Sequence, residues 1–230
     1  MNDFATYLVT ALLRELPGWT VQQRMMPRYS DGTVRRFAPP PDARRSAVAV
    51  IVTTGYDPAV LLTLRSSTLR YHRGQISFPG GRIEPGELPT DAALRELTEE
   101  VGIPASMVRV HGMLSSLYTP PSNSAILPIV MTCSARLDCQ LDAREVEEAF
   151  WVELSHLDGS AVEEEWELPY GRMIVPHWRV HQRVPLWGAT AIVLAELLAL
   201  YRLWLNEQEP PSTPTADDLH SVVPRDQAVS

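Results

Sequence analysis

A chain of 230 residues, 45% hydrophobic and 21% charged, has the composition of a globular protein with ample length for one core. Its net charge of −8 and pI near 5.3 weigh against general nucleic-acid binding, which favours a basic surface. All 20 basic side chains are arginine, a compositional bias that also removes any lysine-based catalysis.

In chain order, residues 4–16 have amphipathic helical spacing and stop at Pro17-Gly18. Residues 19–45, with Pro27 and Pro39-Pro40-Pro41, read as an irregular arm. The apolar, β-branched run 46–52 predicts a central strand, and 60–64 predicts a second that delivers Arg65 at its end. After a glycine-rich loop comes a helix with Pro89 in its first turn, Asp91 near its N-terminus and Gly102 as its left-handed stop. Strands are expected over 108–117, 125–132 and 149–154, then a hairpin over 166–180 turning at Pro169-Tyr170-Gly171. Residues 185–205 are long and apolar, but Glu196 at mid-span is costly in a bilayer, so a docked C-terminal helix is expected. Beyond residue 206 the chain turns to Pro, Ser, Thr and Asp, the composition of a disordered tail. The domain reading is an N-terminal helix and irregular arm over 1–45, the main domain over 46–205 and a disordered tail over 206–230. Cys133 and Cys139 fit neither a metal site nor a disulfide framework and read as reduced thiols. With no basic-then-apolar order at the N-terminus, a cytoplasmic location is expected.

The helix after the glycine loop carries the chemistry. Glu96, Glu99 and Glu100 stand at i, i+3 and i+4 on one side, while Ala93, Leu97 and Val101 form an apolar stripe elsewhere. Like charges that close repel, and a hard divalent cation taking oxygen ligands is the usual reason to keep them together. Arg95, four residues after Asp91 and four before Glu99, is placed to brace the cluster.

Gly81, Glu87, Arg95, Glu96, Leu97, Glu99, Glu100, Gly102 and Ile103 together resemble the Nudix box of the MutT-like pyrophosphohydrolases. The resemblance implies an α/β fold, a Nudix-type α/β/α sandwich with a mixed β-sheet and a catalytic loop-helix-loop. It implies magnesium, or manganese in its place, on Glu96, Glu99 and Glu100 and a backbone carbonyl of the Gly80-Gly81 turn. Glu87 is expected to steady the loop and Arg95. The family often places a further acid 40 to 50 residues after the box. Glu145, Glu147 and Glu148 lie there, and Glu145 is the choice for general base by its spacing to the following strand. Glu163, Glu164 and Glu165 read as a solvated turn, and His72 and His111 as structural.

Directly upstream, Leu61, Leu62, Thr63, Arg65, Ser66, Arg70, Gly74, Phe78, Pro79, Gly80 and Gly81 resemble the extra motif of the coenzyme A pyrophosphatase branch. Trp187-Gly188-Ala189-Thr190-Ala191 resembles that branch too, so the likeness runs from about 46 to 200. Arg65, Arg70 and Arg73 set three guanidinium groups before the metal site, suited to phosphate. Arg65, Arg70, Gly74 and Phe78 are therefore the expected substrate contacts. The activity implied is hydrolysis of coenzyme A or its thioesters to 3′,5′-ADP and 4′-phosphopantetheine or its acyl form. The alternatives are ADP-ribose, NADH or a damaged nucleotide as substrate, or a nucleotide-binding regulator without turnover. Such regulators commonly lose box glutamates, and here all are present. The expected partner is a small molecule, without nucleic acid or membrane; a homodimer stays open.

Overall fold

The computed structural model describes residues 3–34, 37–69, 72–169 and 171–208. Asp3 caps the first helix, α1 (Phe4–Ala11), by accepting from the Thr6 amide at 2.8 Å. The helix is shorter than the expected 4–16. Leu13 and Arg14 bond back to Thr10 and Ala11 in three-residue turns, Leu13 faces solvent, and Pro17 disfavours helix at the residue before it. The segment expected to be an irregular arm holds a short helix, α2 (Trp19–Gln22), and then pairs with the core: Arg28 and Ile174 exchange both backbone hydrogen bonds.

The strands and helices that follow are β1 (Arg44–Thr53), β2 (Ala59–Arg65), β3 (Ile76–Ser77), β4 (Gly80–Arg82) and α3 (Pro89–Val101). Next come β5 (Arg109–Met113), β6 (Leu117–Thr119), β7 (Ser124–Cys133), β8 (Val146–Glu153) and α4 (Leu154–Leu157). The hairpin β9 (Val162–Leu168) and β10 (Gly171–His177) precedes the last helix, α5 (Gly188–Gln208). β1 runs parallel to β7 in register from Arg44↔Ser124 to Thr53↔Cys133, while β2 and β4 pair with β1 antiparallel. β8 pairs with β2, and β5 and β6 with β7, so the sheet is mixed.

β1 is a nearly continuous apolar run because both of its faces are covered. Ala47, Ala49 and Ile51 pack with Ala93, Leu97 and Val101 of α3. Val50 and Val52 pack on the other side with Leu194 and Leu197 of α5 and Phe4 and Leu8 of α1. The result is an α/β/α sandwich, and α1 belongs to its core as fully as α5 does.

α5 is long and apolar enough to cross a membrane, yet 61% of its apolar window is buried inside the molecule. Glu196 at its middle is fully buried. Its carboxylate accepts from Gly18 N at 2.8 Å, Ser115 N at 2.9 Å, Ser115 Oγ at 2.7 Å and Gln22 Nε2 at 3.2 Å. These bonds explain why the expected strand 108–117 is split: the ladder with β7 breaks after Leu114, where Ser115 turns to Glu196. β8 starts earlier than expected because its ladder with β2 extends to Arg65↔Val146. Glu163, Glu164 and Glu165 lie in β9, not in a turn; Arg28, Arg179 and Arg172 each pair with one of them and offset their repulsion. Of the expected tail, 206–208 belong to α5 and 209–230 lie outside the described residues.

Candidate active site

α3 is built to hold acid groups over an apolar floor. Gly102 closes it at φ 69°, donating to Thr98 O, and a Cβ there would stand 2.7 Å from Gln140 Cβ. With Ala93, Leu97 and Val101 fully buried, Glu96 turns toward Gly81 and Glu100 toward Gly80 and the end of β2, while Glu99 stays exposed beside Arg95.

Glu100 is 1% exposed. Its carboxylate accepts from Gly80 N at 3.1 Å and from Arg65 Nη1 at 3.3 Å. Burial pushes its pKa up to about 7, against the opposing pull of Arg65 and the Gly80 amide. Burial also raises Glu96, and the charges of Glu99 and Glu145 add to the shift while Arg95 opposes it. Arg95 braces the cluster as expected. It donates to Glu87 at 2.9 Å, Glu96 at 2.8 Å, Glu99 at 3.0 Å and the Arg82 carbonyl at 3.1 Å. Glu87 accepts also from the Glu84 amide at 2.8 Å, and the Arg95 bond holds its carboxyl below the usual range. It steadies the loop and lies on the arginine.

The two glycines have distinct reasons. A Cβ on Gly81 would stand 2.3 Å from Glu96 Oε1, whereas one on Gly80 would stand 2.4 Å from the Ala47 carbonyl oxygen. The first keeps room for a carboxylate and the second keeps β4 against β1.

Arg65 is drawn onto Glu100, and its buried Nε has no hydrogen-bond partner among the described residues. The loop after it is closed at its base by Arg65 N to Gln75 O at 3.0 Å and Gly74 N to Arg65 O at 3.1 Å. Gly74 sits at φ 65° with open space where a side chain would be, so it serves the turn through its backbone. Phe78 does not present its ring to a ligand. It is 3% exposed and packs in the apolar cluster under α5, which corrects its expected role as a substrate contact. Arg70 lies outside the described residues. His72 contacts Gln75 and His111 bonds Thr132 Oγ1 at 2.7 Å.

Glu145 is exposed, and its charge is felt at both Glu96 and Glu100. Its carbonyl accepts from Ser66 N at 2.8 Å, which ties it to the residue after Arg65. Glu147 and Glu148 are occupied elsewhere. Arg183 pairs with both, and His181 Nε2 lies 3.0 Å from Glu148. The sequence does not bring His181 and Arg183 to this corner; the only signal there is the alternating Arg179, His181, Arg183 before Pro185.

The donor chemistry suits a hard divalent cation: three carboxylates, two of them desolvated and mutually repelling, beside the carbonyls of a glycine turn. Among the described residues no three acidic, imidazole or thiol side chains meet in one coordination sphere. Arg95 holds Glu96 and Glu99, and Arg65 holds Glu100, so a cation held by these oxygens would compete with guanidinium groups for them.

The NUDIX domain family matches residues 43–174. Over 172 residues the chain is 31% identical to Nudix hydrolase 3 of Caenorhabditis elegans, covering 67% of this chain and 72% of that protein. Over 160 residues it is 34% identical to the uncharacterized Nudix hydrolase NudL of Yersinia pestis, covering 67% and 78%. The crystal structure of the Nudix hydrolase RenU from M. smegmatis aligns over 82% of this chain and 98% of that one, with 16% identity and a TM-score of 0.46.

Proposed function

This chain belongs to the Nudix family of hydrolases, which act on pyrophosphate bonds of nucleoside diphosphate derivatives, and we propose that its substrate is coenzyme A or a coenzyme A thioester. The products are 3′,5′-ADP and 4′-phosphopantetheine or its acyl form. The observation that carries this reading is Arg65, set at the end of β2 against Glu100 within the 61–81 motif, with a buried Nε still unpaired. Coenzyme A brings a pyrophosphate and a separate 3′-phosphate, and a planar guanidinium donates to such oxygens in pairs.

Magnesium, with manganese as its substitute, would be held by Glu96, Glu99, Glu100 and a carbonyl of the Gly80-Gly81 turn, and would supply neutralisation of the pyrophosphate and a more acidic attacking water. The chain's own groups do the rest. Glu145 accepts the proton that water loses as its oxygen bonds to phosphorus. The bridging oxygen departs with the electron pair of the broken P–O bond. Arg65 offsets charge on the phosphate oxygens, and Arg95 with Glu87 keeps the α3 carboxylates in place between turnovers.

The test is a product assay with coenzyme A, ADP-ribose and NADH side by side, in magnesium and in manganese, with and without chelator. Chelator-sensitive release of 3′,5′-ADP from coenzyme A, well above the other two, is the expected result. Preference for ADP-ribose or NADH would keep the pyrophosphatase chemistry and remove coenzyme A as the substrate. Ligand-induced thermal stabilisation without turnover on any of the three would point to a binding module.

A further inference from the structure

The segment from Trp178 to Leu186 is a loop pinched at its base. Trp178 N donates to Leu186 O and Leu186 N to Trp178 O, each at 2.9 Å. Trp178 is itself anchored, its Nε1 donating to the Leu157 carbonyl at 2.8 Å, and both base residues are buried. From this fixed base the loop extends His181 and Arg183 over the first residues of β8. His181 has only 11% of its side chain exposed, packs against Phe150 with ring centroids 5.5 Å apart, and meets Glu148 at 3.0 Å. Arg183 donates to Glu147 Oε1 at 2.9 Å and to Glu148 Oε1.

Those two glutamates follow Glu145 by two and three residues. On the opposite strand Glu148 pairs with Leu64 and Val146 with Arg65, and Ser66 N bonds the Glu145 carbonyl. The start of β8, the end of β2 and the loop 179–185 therefore share one corner of the site. The geometry points to His181 and Arg183 as positioning residues. They clasp Glu147 and Glu148, hold the backbone of the β7–β8 connection on Ser66, and so fix Glu145 beside the α3 carboxylates.

The physical case is one of charge and anchoring. Glu145, Glu147 and Glu148 lie within four residues, and three like charges so close would splay the start of β8 into water. Arg183 bridges two of them, and His181, packed against Phe150 and largely shielded from water, supplies Glu148 with a second partner. The pull comes from a loop whose base is locked, so it fixes a place as well as a charge. Glu145 is left as the carboxylate of the three with no ion-pair partner among the described residues. An exposed base on a mobile turn would lose the near-attack geometry on which its contribution depends.

This inference rests on Glu145 being the base, and the experiment separates the two. Arg183→Ala and His181→Ala are compared with the parent for hydrogen exchange in a peptide spanning 140–150, which reads the clasp without any turnover. They are also compared for kcat and KM on whichever of coenzyme A, ADP-ribose and NADH the parent cuts best. Faster exchange in that peptide is expected, with about tenfold lower kcat and KM within about twofold. Arg183→Lys should restore part of the rate. In a Glu145→Gln background Arg183→Ala should cost no further rate, because its effect runs through the same carboxylate. Unchanged exchange would overturn the clasp. Faster exchange with additive losses in the two backgrounds would overturn its action through Glu145. A Glu145→Gln variant with full activity would remove Glu145 as base and the clasp's catalytic role with it. A change of preferred substrate alone would leave the clasp standing.

Discussion

Gly81 lies so close to Glu96 that a Cβ there would stand 2.3 Å from the carboxylate oxygen, a contact side chains do not tolerate. The atom in the way is the far end of a flexible side chain, so Glu96 can swing aside at modest cost. For Gly80 the obstacles are the Ala47 carbonyl at 2.4 Å and the Val48 Cα at 2.6 Å, both backbone, and β4 has nowhere to go.

Gly81→Ala and Gly80→Ala should therefore fail in different ways. We expect Gly81→Ala to lose about 100-fold in turnover with a melting temperature lowered by only a few degrees, since it displaces a site carboxylate. Gly80→Ala should cost about 3 kcal/mol of stability, as overpacking against fixed backbone does. Thermal melts and rates on the same preparations check both. A Gly81→Ala protein with full activity would show that Glu96 need not occupy its present place.

Glu100 gives a pH dependence with a definite sign. Burial raises its carboxyl from 4.5 to about 7 in the folded protein. The protonated form is thus the one the fold favours, and its stabilising contribution is complete below about pH 4.5 and is lost as pH rises through about 7. The amount is on the order of 3 kcal/mol. The carboxyls held low by ion pairs, such as Glu87, Glu148 and Glu163, act in the opposite sense. They titrate below 4.5 and are constant across the window. The Glu100 contribution should lower the melting temperature of metal-free protein at pH 8 relative to pH 5.5, against a smaller opposite one from half-buried His111, and Glu100→Gln should remove it. Magnesium should raise the melting temperature more at pH 8, where the carboxylate it needs is already ionised. An equal slope in Glu100→Gln would assign the dependence to another group.

What the sequence discloses and what it hides divide along chain distance. α3 is legible because its instructions are local: Pro89 at the start, the stripe Ala93, Leu97 and Val101, and the left-handed Gly102. Arg95 and its acidic partners lie within one or two turns or the adjoining loop, so their bracing follows from spacing. The split between β5 and β6 is not legible, because it depends on Ser115 reaching a carboxylate 81 residues away. Glu163, Glu164 and Glu165 look like a turn when read alone, and become strand once Arg172 and Arg179 of the returning chain and the distant Arg28 offset their charge. Phe78 belongs to a substrate motif by position and to the core by burial, and periodicity over so short a run cannot separate the two.

Glu196 joins three segments that sequence reading treats as separate. Replacing it by alanine leaves the Gly18 and Ser115 amides and the Ser115 hydroxyl without their acceptor, while the Gln22 side-chain amide keeps only the Ser115 carbonyl. The expected cost is about 3–5 kcal/mol. Glu196→Gln keeps one acceptor oxygen but sets an N–H₂ against a donor, at a cost of about 2 kcal/mol. Denaturant midpoints measure both, and activity per folded molecule should be retained because Glu196 lies across the sheet from α3. A midpoint unchanged by Glu196→Ala would show that water replaces the carboxylate and that α1 packing and the Arg28–Ile174 pairing suffice to hold the N-terminal segment.

Glu99 offers the sharpest separation of chemistry from folding. Its side chain is 60% exposed and its bond to Arg95 is a surface i,i+4 pair, worth roughly 0.3–0.5 kcal/mol. Glu99→Gln should leave the melting temperature within about two degrees. If Glu99 is a ligand of the essential cation, the same change should lower kcat by at least 100-fold, in the range lost when electrostatic stabilisation of a transition state is removed. Magnesium titration of the residual rate should then need higher concentrations than in the parent. Retention of most of the activity at unchanged magnesium dependence would take Glu99 out of the ligand set and leave Glu96, Glu100 and the Gly80-Gly81 carbonyl to hold the ion.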